Sequence, residues 1–179
     1  MRILTICGSL RARSANRSVL LAYERLVNSR ATVEHYDRLG MLPHFNPDFD
    51  HETAALPAEV AHLRRLVSAA DALIISTPEY VHALPGSLKN ALDWLVSDPA
   101  FVGKRVVIVH VARGSTWALD SLREILKTMS ASIIEAASVS LPLGSNQIDE
   151  DVILLRPDLR TLLSGSVEAL AAALNEKPN

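Results

Sequence analysis

The stretch that decides the fold reads Ile3-Leu4-Thr5-Ile6-Cys7-Gly8-Ser9-Leu10-Arg11-Ala12-Arg13-Ser14-Ala15-Asn16. Its first five residues form a short apolar run, which predicts a β-strand. After it, apolar residues recur at helical spacing and predict a helix over residues 15–29. Those residues are Val19, Leu20, Tyr23, Leu26 and Val27. The stretch is therefore a strand-to-helix junction, which is the repeating unit of an α/β fold.

The loop at this junction carries small hydroxyl-bearing and cationic residues. The start of a helix offers free backbone N–H groups and a positive dipole end, and an arginine adds a charged fork. The loop lacks the glycine patterns of nucleoside-triphosphate and dinucleotide sites. Two interpretations stay open from these residues alone. One is a site for a single phosphate group, and the other is an ordinary connection with Ser14 or Asn16 as the helix N-cap.

The same alternation of strands and helices runs through the rest of the chain. The predicted strands are Arg2–Cys7, Thr32–Tyr36, Ala72–Thr77, Arg105–Val111 and Ile133–Ser140. The predicted helices cover residues 15–29, 57–69, 86–97, 115–130 and 157–175. Five such units with short connections predict an α/β fold with a doubly wound parallel sheet and helices on both faces. In such sheets ligands bind at the carboxyl ends of the strands, where the strand order reverses.

Length and composition narrow the class of protein. A chain of 179 residues predicts one domain, residues 1–179. A net charge of −2 gives no reason to expect nucleic acid or an anionic membrane as partner. No apolar run is long enough to span a bilayer, and no signal peptide is evident, so a soluble, cytoplasmic protein is expected. One cysteine excludes an internal disulfide, and no cluster has the spacing of metal ligands.

Two longer connections stand out between the predicted elements. Residues 37–56 have no convincing periodicity and are either a lid, a subunit contact or a surface excursion, of which the last is favoured. Residues 144–155 are predicted as an acidic connection into the last helix.

A second candidate site follows the third strand. It reads Thr77-Pro78-Glu79-Tyr80-Val81-His82-Ala83-Leu84-Pro85-Gly86-Ser87-Leu88-Lys89-Asn90-Ala91-Leu92-Asp93-Trp94. Two prolines stiffen this loop, so that its backbone groups are presented at little cost in entropy. Rigid backbone suits the recognition of a flat heterocycle whose edge carries donors and acceptors.

The pattern Gly-Ser-Leu-Arg-x-x-Ser-x-Asn after the first strand, with Pro-Glu-Tyr-x-x-x-x-Pro-Gly-x-Leu-Lys-Asn-x-x-Asp-Trp after the third, resembles the NAD(P)H-dependent FMN reductase family. This flavodoxin-like group includes quinone, chromate and azo-dye reductases, and the resemblance covers roughly residues 1–140. It implies a five-stranded sheet in the order 2-1-3-4-5. It also implies FMN as cofactor, NADPH or NADH as electron donor, a small-molecule acceptor, and a homodimer or homotetramer.

The family's functional positions carry over onto this chain residue by residue. The phosphate-binding residues implied are Ser9, Arg11, Ser14 and Asn16. The residues implied to line the isoalloxazine and ribityl chain, mainly through backbone groups, are Pro78, Glu79, Tyr80 and Val81. Arg113 and Gly114, after the fourth strand, complete the implied cofactor-binding set. Val81 departs from the family, since many members have Asn there, and Trp117 with Arg113 makes the third loop bulkier and more cationic.

The resemblance implies hydride transfer from NAD(P)H to the flavin, followed by reduction of a quinone, free flavin or similar acceptor in a ping-pong sequence. No catalytic side chain is assigned, because the flavin carries the chemistry. The alternative is a flavodoxin-type electron carrier or an FMN-binding module that serves a partner. The weak net charge and the Leu-Lys-Asn-x-x-Asp-Trp helix favour the reductase.

Overall fold

The computed structural model describes residues 1–51, 55–145 and 148–176. The strands of these residues are β1 (Arg2–Cys7), β2 (Thr32–Tyr36), β3 (Ala72–Ser76), β4 (Arg105–Ala112), β5 (Ser132–Ile133) and β6 (Val139–Pro142). All of their pairings are parallel, in the order β2-β1-β3-β4, and β5 and β6 both pair with β4 at the edge. The predicted doubly wound sheet and its strand order are confirmed.

Helices cover both faces of the sheet. They are α1 (Ala15–Val27), α2 (Ala58–Ala69), α3 (Gly86–Asp93), α4 (Trp117–Thr128), α5 (Glu150–Leu155) and α6 (Pro157–Asn175). One apolar core lies between the sheet and α2, α3 and α4, and the other lies between the sheet and α1, α5 and α6. No helix in the described part of the chain is long and apolar enough to cross a membrane.

The edge of the sheet differs from the prediction of one strand over Ile133–Ser140. The chain turns between β5 and β6, where the backbone N–H of Ser138 donates to the carbonyl of Ile134. The turn removes a strand partner from Ile108, and the hydroxyl of Ser138 replaces it by accepting from the N–H of Ile108 at 3.1 Å. One serine side chain therefore satisfies a backbone donor that the interrupted strand leaves open.

Helix α5 corrects the prediction that residues 144–155 form only a connection into the last helix. The side chain of Asp149 caps this helix by accepting from the N–H of Val152 at 2.8 Å. Glu150 and Asp151 lie in its first turn, where acidic residues suit the helix dipole, and both contact Arg25 of α1. Residues 146 and 147 of that connection lie outside the described residues.

Hydrogen bonds hold the first part of the excursion, residues 37–51, against Asn90 and Trp94. The amide of Asn90 accepts from the N–H of Phe45 and donates to the carbonyl of Pro43, to which the indole N–H of Trp94 also donates. The ring of Phe45 meets that of Trp94 edge-on at 5.0 Å. The indole of Trp94 thus lies in the core of the protein. Residues 52–54 of the excursion are outside the described part.

Candidate functional site

Three loops meet at the carboxyl edge of the sheet. The first loop, residues 8–14, follows β1; the second loop, residues 77–85, follows β3; and the third loop, residues 113–116, follows β4. Strands β1 and β3 are neighbours, yet the helices that follow them, α1 and α3, cover opposite faces. The crevice between the first and second loops is therefore the point where the strand order reverses, which is the ligand site expected for such sheets.

Gly8 lets the first and second loops approach each other closely. Its backbone N–H donates to the carbonyl of Ser76 at 2.8 Å. A Cβ atom at Gly8 would lie 2.3 Å from the hydroxyl oxygen of Thr77, which is too close for any side chain. The glycine is thus required by the packing of the two loops and not by its own dihedral angles.

Buried polar side chains line the base of the first loop. Ser9, Ser14 and Asn16 are all less than 10% exposed. The Ser9 hydroxyl oxygen accepts from the N–H of Arg11 at 3.3 Å, and the Asn16 amide oxygen accepts from the Ser76 hydroxyl at 2.9 Å. These bonds leave the Ser9 hydroxyl hydrogen and the Asn16 amide N–H groups to donate to a ligand.

The structure also bears on the N-cap interpretation of this loop. Ser14 occupies the N-cap position of α1 with an extended backbone, but its side chain makes no capping hydrogen bond. The first N–H groups of α1 are thus not satisfied by Ser14, as they are in a simple cap. Arg11 is exposed and takes part in none of the ion pairs formed by the described residues. Free N–H groups at a helix start and an exposed guanidinium without an ion-pair partner among the described residues are the kinds of group that bind anions.

Cys7, the residue before this loop, has the environment of a structural cysteine. Its thiol donates to the carbonyl of Ser9 at 3.6 Å. Burial raises the pKa of the thiol above its usual value, although a backbone hydrogen bond with Ser9, a side-chain hydrogen bond with Ser14 and the charge of Arg17 act in the opposite direction. The thiol is therefore protonated at neutral pH and is not a reactive thiolate.

The second loop contains a tight two-residue turn. Tyr80 and Ala83 exchange two backbone hydrogen bonds of 3.0 Å, and between them Val81 and His82 have φ angles of +51° and +56°. Both central residues thus adopt the left-handed conformation of a type I′ turn. The side chain of Val81 is 99% exposed, so no packing compensates a β-branched residue for this conformation.

The carboxylate of Glu79 joins the second loop to the third. It accepts from the Ser115 hydroxyl at 2.5 Å and from the N–H of Ala118, in the first turn of α4, at 3.0 Å. These two hydrogen bonds lower the pKa of Glu79, and it stays ionised at neutral pH. The carboxylate of Glu79 is therefore engaged between the second loop and the third.

A second contact between these loops is made by two rings. The imidazole of His82 stacks on the indole of Trp117, with ring centroids 5.8 Å apart and planes inclined by 20°. Gly114 of the third loop has a φ of +94°, which allows the chain to turn from β4 into α4. Arg113 and Gly114 are exposed, and Trp117 is 60% exposed.

The remaining predicted residues, Pro78 and Tyr80, lie in the second loop, and His110 is a further polar residue on β4. Pro78 is half-buried and Tyr80 is exposed in the second loop. His110 lies on β4, where burial lowers its pKa, and its ring contacts the Ser140 hydroxyl at 3.3 Å. Ser76 and Ser115 were not identified from sequence, although they orient Asn16 and Glu79. For Ser76 a signal exists, since it is a polar residue at the carboxyl end of an otherwise apolar buried strand.

Comparison with known proteins gives a consistent result. The family model described as NADPH-dependent FMN reductase matches residues 1–146. An NAD(P)H-dependent FMN reductase from Pseudomonas aeruginosa is 31% identical over 175 residues, which cover 95% of this chain and 93% of that protein. A quinone reductase from Escherichia coli K12 is 29% identical over 154 residues, covering 83% and 81% of the two chains.

Solved structures share the fold. A flavoenzyme NAD(P)H:(acceptor) oxidoreductase from Paracoccus denitrificans superposes with a TM-score of 0.76 and 23% identity. The match covers 97% of this chain and 96% of that one. At this identity the likeness bears on the fold, and it agrees with the strand order described above.

Proposed function

Because the chain belongs to the NADPH-dependent FMN reductase family, we propose that it binds FMN and uses electrons from NAD(P)H to reduce quinones, free flavin or similar small acceptors. The relatives named above, an FMN reductase and a quinone reductase, support this choice of acceptors. The cytoplasm, where reduced nicotinamide cofactors are available, is the compartment that we propose for the reaction.

The observation that carries this proposal is the meeting of two different kinds of loop in one crevice. The first loop offers buried hydroxyl and amide donors at a helix N-terminus, which suits a phosphate group. The second loop offers a stiff backbone with a two-residue turn, which suits the edge of a flat ring. FMN carries both a phosphate and a flat ring, so the residues present fit this cofactor.

We assign the phosphate to Ser9, Arg11, Ser14 and Asn16. Ser9 and Asn16 hold their donor groups in place through their bonds to Arg11 and Ser76, so little side-chain entropy is lost on binding. Arg11 supplies the positive charge that the dianionic phosphate requires.

We assign the isoalloxazine ring to the second and third loops. Pro78, Glu79, Tyr80 and Val81 border the crevice from the second loop, where the backbone N–H and carbonyl of Tyr80 are already paired with Ala83. Arg113 and Gly114 border it from the third loop. Glu79 fixes the distance between the two loops through its bonds to Ser115 and Ala118. When bound, FMN supplies the redox chemistry, which takes two electrons from NAD(P)H and passes them to the acceptor. The chain's own residues bind and orient, and none is assigned as a general acid or base.

The decisive experiment is an absorption spectrum of the purified protein followed by anaerobic titration with NADPH and NADH. We expect a flavin spectrum that is bleached by one or both, and steady-state NAD(P)H oxidation that depends on an added quinone. A protein with a flavin spectrum that neither nicotinamide bleaches would instead be an electron carrier. A protein that takes up no flavin would contradict both functions.

We further propose that the protein is a homodimer or homotetramer that associates through the excursion. Met41 and Phe49 of the excursion and Val96 after α3 are more than half exposed. Phe49 and Val96 adjoin Asp50 and Ser97, which are hydrogen-bonded to each other at 2.7 Å, so the two apolar side chains belong to one region of the surface. Light scattering at micromolar concentration should give two or four times the chain mass of 19.5 kDa. A mass of one chain would contradict this proposal.

A further inference from the structure

Trp117 is an unusual residue to find at the edge of the crevice. It begins α4, directly after the third loop, and 60% of its surface is exposed. The imidazole of His82 lies nearly parallel to the indole and offset from it, with ring centroids 5.8 Å apart and planes inclined by 20°. The indole thus has a neighbour in the second loop and keeps most of its surface open.

The structure holds this ring in a fixed position. Glu79 ties the second loop to the third and to the first turn of α4, at 2.5 Å from the Ser115 hydroxyl and 3.0 Å from the N–H of Ala118. His82 then supports the indole from the second loop. An aromatic ring that is held by a neighbour and keeps most of its surface open is a preformed surface for a second flat ring, because stacking costs it no further ordering.

We propose that the exposed indole of Trp117 is the surface on which the flat ring of the electron acceptor packs, and that this residue selects quinone-like aromatic acceptors over acceptors that cannot stack. This inference rests on the proposed function, since it concerns the acceptor of the same site. Trp117 acts as a specificity-determining residue, and His82 acts by positioning its ring.

The kinetic test compares two acceptors of different shape. In the Trp117→Ala variant, the KM for 1,4-naphthoquinone should rise by about five- to tenfold, as expected for loss of one ring–ring contact, with little change in kcat. The KM for ferricyanide, an octahedral anion with no flat ring, should stay the same. Trp117→Phe keeps an aromatic face and should restore most of the naphthoquinone affinity. Val102→Ala, at another exposed apolar residue, is the matched control and should behave as the wild type.

A binding measurement gives a readout that does not depend on turnover. The chain has two tryptophans, of which Trp94 is fully buried and Trp117 is exposed. Without NAD(P)H, 1,4-naphthoquinone should quench the fluorescence of the wild-type protein in a saturable manner. In Trp117→Phe, where Trp94 alone emits, the quenching should be weak and linear in quinone concentration. Saturable quenching of equal depth in this variant would overturn the inference.

The outcomes separate this inference from the function beneath it. If the wild type oxidises NAD(P)H with both acceptors and Trp117→Ala raises neither KM, or raises both equally, the role of Trp117 is refuted while the reductase stands. If the wild type reduces neither acceptor, the proposed function itself fails, and the inference fails with it.

Discussion

At the scale of single residues, Arg11 is the charge on which phosphate binding should depend most. Replacing it by Ala should weaken FMN binding by about 1.5–3 kcal/mol, the usual worth of a charged hydrogen bond. Riboflavin has no phosphate, so its affinity should hardly change. Isothermal titration calorimetry with both ligands checks this. Arg13→Ala removes an exposed arginine of the same loop that is outside the family pattern, and it serves as the control. Equal losses for FMN and riboflavin would remove Arg11 from the phosphate site.

The backbone of Val81 adopts a strained conformation, and sequence periodicity does not reveal this energetic cost. Its φ of +51° is unfavourable for a β-branched side chain, whereas Asn adopts this conformation readily. Because the side chain of Val81 is 99% exposed, its replacement loses no packing.

We therefore expect Val81→Asn to stabilise the flavin-free protein by about 1 kcal/mol, measured by urea unfolding. The matched control is Val102→Asn, since Val102 is also exposed but has a φ of −62°. It should change the free energy of unfolding by less than about 0.5 kcal/mol. If the two variants shift the unfolding midpoint equally, strain at Val81 is not the cause.

At the scale of elements, most of the strands and helices could be predicted because each buries a periodic apolar face. What could not be predicted depends on neighbours that are distant in sequence. The N-terminus of α4 is capped by Glu79 from another loop, and the break between β5 and β6 is made possible by the hydroxyl of Ser138. Helix α5 has a capping residue and an acidic first turn, but its six residues are too few to show the apolar periodicity of a helix.

The Leu-Lys-Asn-x-x-Asp-Trp pattern of α3 and the residue after it contains residues with a structural role as well as residues near the candidate site. Asn90 and Trp94 belong to the pattern that indicated the cofactor site, yet their side chains bind the excursion at Pro43 and Phe45. The pattern that predicts the cofactor site therefore includes residues whose described contacts are structural. Periodicity and spacing cannot separate these two roles, because both require a fixed residue at a fixed place on the helix.

Glu79 joins the second loop to α4 through its hydrogen bonds, and it should make the free energy of unfolding depend on pH. Its pKa is lower in the folded protein than in the unfolded chain because of its bonds to Ser115 and Ala118. Its contribution is therefore fully present above the ordinary glutamate pKa of about 4.3 and is lost as the pH falls through the lowered value.

Glu79→Gln should thus be less stable than the wild type at pH 7, and the difference should shrink as the pH is lowered toward 3. Urea unfolding at a series of pH values measures it. The control is Glu124→Gln, at an exposed glutamate of α4 that makes no ion pair among the described residues. If the difference in free energy of unfolding between the two proteins is independent of pH, the charge of Glu79 does not stabilise the contact between the second loop and α4.

At the scale of the whole molecule, the sheet order gathers the candidate site at one edge. Because β1, β3 and β4 are consecutive neighbours, the three loops that follow them border a single crevice. The sequence predicted this placement, since the alternation of strands and helices fixes where their carboxyl ends lie. It could not predict the contacts across the loops, including the stack of His82 on Trp117, because those depend on the three-dimensional approach of segments about 35 residues apart.

A single crevice has a kinetic consequence. If the nicotinamide and the acceptor use the same face of the bound cofactor in turn, the first product must leave before the acceptor enters. Double-reciprocal plots of rate against NAD(P)H at several quinone concentrations should then give parallel lines. His82→Ala should change KM more than kcat, because His82 shapes the site through Trp117 and has no proton that it must transfer. Intersecting lines would instead mean a ternary complex and a second substrate pocket. A loss of kcat of about a hundredfold in His82→Ala, the size expected for a missing general acid or base, would show that His82 takes part in the chemistry.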